Sequence, residues 1–183
     1  TRRNQQVMLM DLLQKDGYRL RAPEPEDLDC MMQFENTPTL WEVGNATGPY
    51  SRFHLKLYIE TNKNDIYTDG QLRLMVESIA HKEVVGIIDL FDYNAFHNRA
   101  EVGIVIAESC QSKGLGELAL NLLTDFSFNY LGIHQLYAHI DVTNVPCRRL
   151  FAKCGFKECA LLKDWMRTGT TYRDVVMVQR LNS

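Results

Sequence analysis

The chain has little surplus charge of either sign: 20 Lys and Arg against 23 Asp and Glu give a net charge of −3 and a pI near 5.9. A phosphate backbone is bound chiefly through clustered basic residues, so this balance speaks against a nucleic-acid partner. Long apolar runs are also missing. The longest, residues 84–88 and 102–107, are strand-sized and stop at acidic residues, well short of the ~20 needed to span a bilayer, so no membrane partner is expected. The first residues, TRRNQQVMLMDLLQ, are basic and then apolar, but Asp11 interrupts them and no small-residue cleavage site follows; they read as part of a mature cytoplasmic protein. Eleven Gly and five Pro are too few for a collagen-like or low-complexity chain. The five cysteines (Cys30, Cys110, Cys147, Cys154, Cys159) are odd in number and form no C-x-x-C pair, which fits neither a disulfide framework nor a zinc site, and no metal is expected. What remains is 183 residues, 45% hydrophobic, the size of one compact domain over 1–183 with a core of about 18–180.

Within that length the periodicity changes several times. Residues 5–15 suit a short helix closed by Gly17, and 18–22 alternate as a first strand stopped by Pro23 and Pro25. Residues 26–35 place Leu28, Met31 and Met32 on one helical face. Residues 36–50 are turn-rich, and Ser51 is a candidate cap for a helix to about Thr61. Runs at 72–76, 84–91 and 101–107 read as an antiparallel meander, with DYNAFHNR as its last turn and a final strand buried on both faces. From Leu115 the period becomes helical, with Leu118, Ala119, Leu122, Leu123, Phe126 and Tyr130 on one stripe; residues 135–142 then return to period two. Strand, loop, helix and strand over 101–142 form a βαβ unit. A shorter helix from Asn144, with Pro146 in its first turn, ends at Gly155, and 156–167 with 172–180 close as a hairpin. The fold class is therefore α+β: a mixed, mostly antiparallel sheet with one parallel crossover and flanking helices.

The segment with chemical content is Gln111-Ser112-Lys113-Gly114-Leu115-Gly116, which leaves a strand and enters the long helix. Glycines there let backbone N–H groups approach an anion, and a helix N-terminus adds unpaired donors and partial positive charge. The Walker and dinucleotide strings, G-x-x-x-x-G-K-[ST] and G-x-G-x-x-G, are both absent.

This loop resembles the acetyl-CoA loop of the GNAT superfamily of N-acetyltransferases, [QR]-x-x-G-x-[GA]. The likeness continues through Arg99-Ala100-Glu101-Val102-Gly103, through residues 136–144 (LYAHIDVTN) and through Lys153-Cys154-Gly155-Phe156. It covers about residues 18–179 and is nearest to the bacterial spermidine acetyltransferases and ribosomal-protein N-terminal acetyltransferases. The resemblance implies a GNAT fold and acetyl-CoA as co-substrate. Its diphosphate would lie on the N–H groups of residues 111–116, its pantetheine arm beside Ile104, Val105 and Ile106, in a splay between the two parallel strands. Asn144 matches a residue on the cofactor arm and also suits a helix cap; Lys153 matches a basic residue near the phosphates and also suits a solvated surface.

The implied reaction is direct attack of an amine on the thioester, helped by a base. Glu101 is the first candidate because apolar neighbours would raise its pKa; Asp89, Asp92 and His97 are alternatives, and an ion pair with Arg99 or a neighbouring strand is the structural reading of Glu101. Cys147 has no partner motif for a nucleophile. Phe151 falls where the spermidine enzymes carry a tyrosine that protonates the leaving thiolate, and Phe cannot donate. Residues 41–52 lack the acidic loop of those enzymes; Trp41 and Glu42 remain, and with Glu35, Asp89 and Asp92 they are the expected acceptor-binding set. Glu60 is a further acid that could join it. The implied function is acetylation of a polyamine-like or other primary amine. A protein N-terminal acetyltransferase and a non-catalytic acyl-CoA-binding module are the alternatives. A homo-oligomer is expected, with the apolar residues 7–13 and the closing hairpin as candidate interface surface.

Overall fold

The computed structural model describes residues 2–4, 11–36 and 48–183. An eight-stranded sheet runs through them in the order β1-β2-β3-β4-β5-β6-β8-β7. The strands are β1 (Gln14–Lys15), β2 (Tyr18–Arg21), β3 (Leu72–Ser78), β4 (Glu83–Asn94), β5 (Arg99–Ile106), β6 (Gln135–Asp141), β7 (Lys157–Thr168) and β8 (Thr171–Leu181). Every neighbouring pair is antiparallel except β5 and β6, which are parallel and joined by helix α4 (Leu115–Asn129). The crossover helix is what permits a parallel pair, since such strands cannot be joined by a tight turn. Further helices among the described residues include α1 (Leu28–Glu35), α2 (Arg52–Thr61), the single turn α3 (Ile66–Asp69) and α5 (Val145–Lys153).

Two apolar clusters hold the layers. On one face of the sheet, Ile88, Leu90, Val102, Leu136 and Ala138 pack with Ala119, Leu120 and Leu123 of α4 and Phe151 of α5. On the other, Met75 and Ile87 pack with Leu28 and Met31 of α1 and Leu55 of α2. Burial of such stripes, at ~25 cal/mol per Å², is the main force fixing each helix to its face. Caps fix the ends: the Ser51 hydroxyl accepts from the His54 N–H (3.1 Å), and the Asn144 side chain accepts from the Cys147 N–H (3.2 Å).

Several expectations are corrected. β5 is only half-buried rather than buried on both faces, because its β6 side is open over much of its length. β4 continues to Asn94, so the DYNAFHNR turn shrinks to four residues, and α3 occupies a stretch with no helical periodicity. The N-terminal helical reading ends early: Gln14 and Lys15 pair as a strand with Arg19 and Tyr18. Leu13 packs against the main core, which removes it from the candidate oligomer surface; residues 7–10 lie outside the described residues. Cys30, Cys110, Cys147, Cys154 and Cys159 are all unpaired.

Candidate active site

The central opening in the sheet lies between β5 and β6. These strands pair at Arg99 with Gln135, Ala100 with Leu136 and Glu101 with Tyr137, and then separate. Each keeps its other partner: β4 stays in register with β5 to Ile106, and β8 with β6 to Asp141. The gap is therefore a wedge whose apex is Glu101 and whose β5 wall is formed by residues 102–106, including the half-buried Ile104, Val105 and Ile106. Among the described residues the β6-facing backbone groups on that wall have no strand partner, which suits an extended ligand arm laid in as an added strand.

Beyond the wedge, Glu108–Cys110 form a 3-10 turn, and the Gln111 side-chain amide donates to the Ile106 carbonyl (3.2 Å), fastening the loop to the end of β5. Ser112 (φ 63°) and Gly114 (φ 74°) both adopt left-handed backbone. Gly114 caps α4 with no side chain accepting from the first turn, so the N–H groups there are available to an anion. Residues 111–114 are exposed. Leu115 turns its side chain into the core at 6% exposure, so only its backbone is available to a ligand. Gly116 has a packing role: a Cβ there would sit 3.2 Å from the Leu150 side chain of α5. The exposed N–H groups of this cradle suit an anion such as a diphosphate. Asn144 caps α5, and Lys153 is exposed on its last turn.

The opposite face carries the polar groups. Register places Arg73 beside Asp89, Phe91 beside Glu101 and Glu101 beside Tyr137, so these side chains share the face covered by α1 and α2. Arg73 binds Asp89 through two nitrogens (both 2.9 Å) and Glu35 through a third, and its guanidinium lies 5.7 Å from the Tyr58 ring centre. Burial opposes the cation there, but the two carboxylates outweigh it and hold Arg73 charged. These groups line a cavity of about 380 Å³ with Tyr50, Tyr58 and Phe91. Glu35 and Asp89 are thus brought together, but as partners of an arginine rather than as free acids.

At the wedge apex the Glu101 carboxylate meets His139 Nδ1 at 2.8 Å. Burial raises the Glu101 pKa, and His139 partly opposes that. A β-bulge after Phe91 sets Asp92 at φ 50°, and the Tyr137 hydroxyl donates to it at 3.2 Å. Burial and then Asp92 push Tyr137 up to about 12, so it stays a donor. Glu101 therefore does pair with a neighbouring strand, the partner being His139 and not Arg99.

Sequence reasoning gave no role to His139, Tyr137, Arg73 or Trp165. The alternation of Tyr137 and His139 within β6, in step with Glu101 across the parallel pair, was the available signal. His97 sits on the exposed β4–β5 turn, where its N–H is capped by Asn94. Phe151 is 2% exposed, packed edge-on against Phe156. Trp41 and Glu42 lie outside the described residues. No group of His, Cys, Asp and Glu suited to a metal is present among the described residues.

Residues 18–157 match the Acetyltransferase (GNAT) domain family. The chain belongs to the GNAT acetyltransferases. It is 32% identical over 164 residues to the spermidine N(1)-acetyltransferase of Vibrio cholerae, covering 90% of this chain and 92% of that one. The crystal structure of spermidine N-acetyltransferase from Vibrio cholerae in complex with CoA and spermine superposes with a TM-score of 0.79 at 30% identity, covering 92% and 97% of the two chains. The dodecameric structure of that enzyme in an intermediate state gives 0.77 at 29%, covering 92% and 96%. The mixed sheet with its single parallel pair is the GNAT fold, and the protein is an N-acetyltransferase.

Proposed function

We propose that this acetyltransferase moves the acetyl group of acetyl-CoA to a primary amine of the polyamine type. The observation that carries the reading is the carboxylate pair Glu101 and Asp92, held by His139 and Tyr137 at the apex of the β5–β6 wedge. A cationic amine arriving from the α1/α2 face meets two acids there, while the thioester comes along the wall formed by residues 102–106. The diphosphate rests on the N–H groups of residues 111–116. A β5 backbone N–H polarises the thioester oxygen, a donor already fixed where negative charge develops. Glu101 and its partner take the proton that an alkylammonium must lose before it can attack. Phe151 supplies no acid, so the CoA thiolate, whose conjugate thiol resembles that of cysteine at ~8.5, takes its proton from water.

The relatives' activity supports a polyamine acceptor, and the dodecameric relative supports a homo-oligomer. The unpaired cysteines support a reducing, cytoplasmic setting. The chain acts as a single catalytic domain on this reading. The test is CoA thiol release with acetyl-CoA and a panel of spermidine, spermine, aminoglycosides, amino acids and a Ser- or Ala-starting peptide. Turnover is expected with spermidine or spermine at higher kcat/KM than with the peptide. Preference for the peptide, or release with no amine of the panel, contradicts the proposal.

A further inference from the structure

Resting on the preceding reading, we infer that the proton acceptor for the attacking amine is His139 Nε2, and that Glu101 is a positioning residue that fixes the imidazole from its other nitrogen. Three observations carry this. First, the Glu101 carboxylate lies 2.8 Å from His139 Nδ1, so an ionised carboxylate selects the tautomer with the proton on Nδ1 and leaves the lone pair on Nε2. Second, the ring is clamped: the Trp165 indole of β7 stacks on it at 5.9 Å and 14°, and Tyr137 meets it edge-on at 5.9 Å and 89°. No described residue hydrogen-bonds Nε2. Third, the pair bridges the wedge at its apex. Glu101 and Tyr137 are the last residues at which β5 and β6 pair, and His139 is the next residue on that face of β6, the first beyond the pairing. A base in this place touches both the α1/α2 side, where an amine enters, and the gap in which a thioester would lie.

Glu101 is less suited to the task itself. Its side chain is 15% exposed, against 24% for His139, and one of its oxygens is already committed to the ring. Tyr137 of β6, edge-on to the ring, is itself bound to Asp92 of β4 and feels Arg99 of β5, while Asp141, two residues further along β6, is tied to Arg173 of β8 at 3.0 Å. β7 contributes the uncharged Trp165, and β8 the uncharged register partner Met177. In the step, the alkylammonium gives one proton to Nε2, making an imidazolium that faces the Glu101 carboxylate. The freed amine nitrogen bonds to the thioester carbonyl carbon, the C–S bond breaks, and the CoA thiolate leaves. The nitrogen's second proton goes by way of water to the thiolate, and His139 returns its own to solvent.

The test is kcat and kcat/KM from pH 5.5 to 9 with acetyl-CoA and spermidine for the wild type, His139→Gln and Glu101→Gln, beside 15N NMR titration of His139 in the acceptor-free wild type and Glu101→Gln. His139→Gln is expected to abolish the acid limb of the profile and lower kcat ~10²-fold or more, with the KM for acetyl-CoA nearly unchanged. Glu101→Gln is expected to keep the limb, with a smaller loss in kcat. The spectra should show the neutral ring protonated on Nδ1. If Glu101→Gln removes the limb and costs more than His139→Gln, or the neutral ring carries its proton on Nε2, the inference is overturned. Failure of both spermidine and spermine as acceptors sinks the proposed function instead, and the NMR titration still decides the tautomer.

Discussion

The two halves of the site are built from different materials. The half proposed for the cofactor is backbone: a wedge between two strands, two left-handed residues at Ser112 and Gly114, and a helix start with no capping side chain. The half proposed for the acceptor is side chain: Arg73 and Asp89 from adjacent strands, Glu35 from α1, Tyr58 from α2, Glu101 and His139 from the parallel pair. A backbone site needs residues that permit a conformation, and those fall close together in sequence. A side-chain site needs partners, and here Glu101 and His139 are 38 residues apart and Arg73 and Glu35 also 38. The first is fragile to added atoms, the second to removed charge.

The sharpest way to break this contrast is Arg73→Met. It leaves Glu35 and Asp89 facing each other half-buried without their cation, and loss of one member of such a network costs ~3–5 kcal/mol. Urea unfolding should show that loss while the protein still binds acetyl-CoA wherever it remains folded; unchanged stability would mean the arginine does not organise the acceptor wall.

Phe151→Tyr probes the border between the halves. A hydroxyl at this position is expected to raise kcat by up to ~10²-fold, the contribution of a placed acid. Steady-state kinetics with a productive amine reads it, and an unchanged or lower kcat removes position 151 from the reacting centre.

Gly114→Val tests the backbone half. A branched residue at φ 74° is strained, by ~1–2 kcal/mol, although a Cβ would meet nothing within 4 Å. Relaxing that strain moves the N–H cradle, so acetyl-CoA affinity by calorimetry should fall about tenfold, equivalent to ~1.4 kcal/mol, with the domain still folded. Undiminished affinity would place the diphosphate elsewhere.

The smallest effect separates structural from functional side-chain networks. Arg21 binds Asp27 and Glu77, and Arg19 also binds Glu77. Burial alone would raise both carboxyls, but the arginine hydrogen bonds outweigh it and hold them below their usual range. Because the folded values lie below the unfolded ones, near ~4, this network stabilises the fold above that pH and loses its contribution as pH falls through the folded values. Thermal midpoints should therefore drop below pH 4, less steeply in Glu77→Gln. Acetyl-CoA affinity at neutral pH should be the same in that variant.

The same division explains what was legible beforehand. The α4 stripe, the βαβ crossover, the Ser51 and Asn144 caps and the Gln111 to Gly116 loop were visible because each depends on local spacing. Gly116 was read as a ligand contact, yet its packing against Leu150 depends on where α5 falls, which spacing within α4 does not encode. In sequence Glu35 and Asp89 suggest only an acidic acceptor site, because nothing near either of them announces Arg73. The bulge that turns Asp92 toward Tyr137 extends β4 into a stretch whose Asn and Asp residues read as turn. Half-burial of β5 was missed because an apolar run looks the same whether a strand or a ligand arm covers it.

The claim on which the account rests is that the β5–β6 wedge and the α4 loop are where acetyl-CoA lies. Amide hydrogen exchange with and without saturating acetyl-CoA tests it directly. Protection is expected to rise at residues 102–106 and 111–117 and to stay unchanged in β3, at residues 72–78. Protection confined to the Arg73 cavity, or none at either wedge or loop, would contradict it.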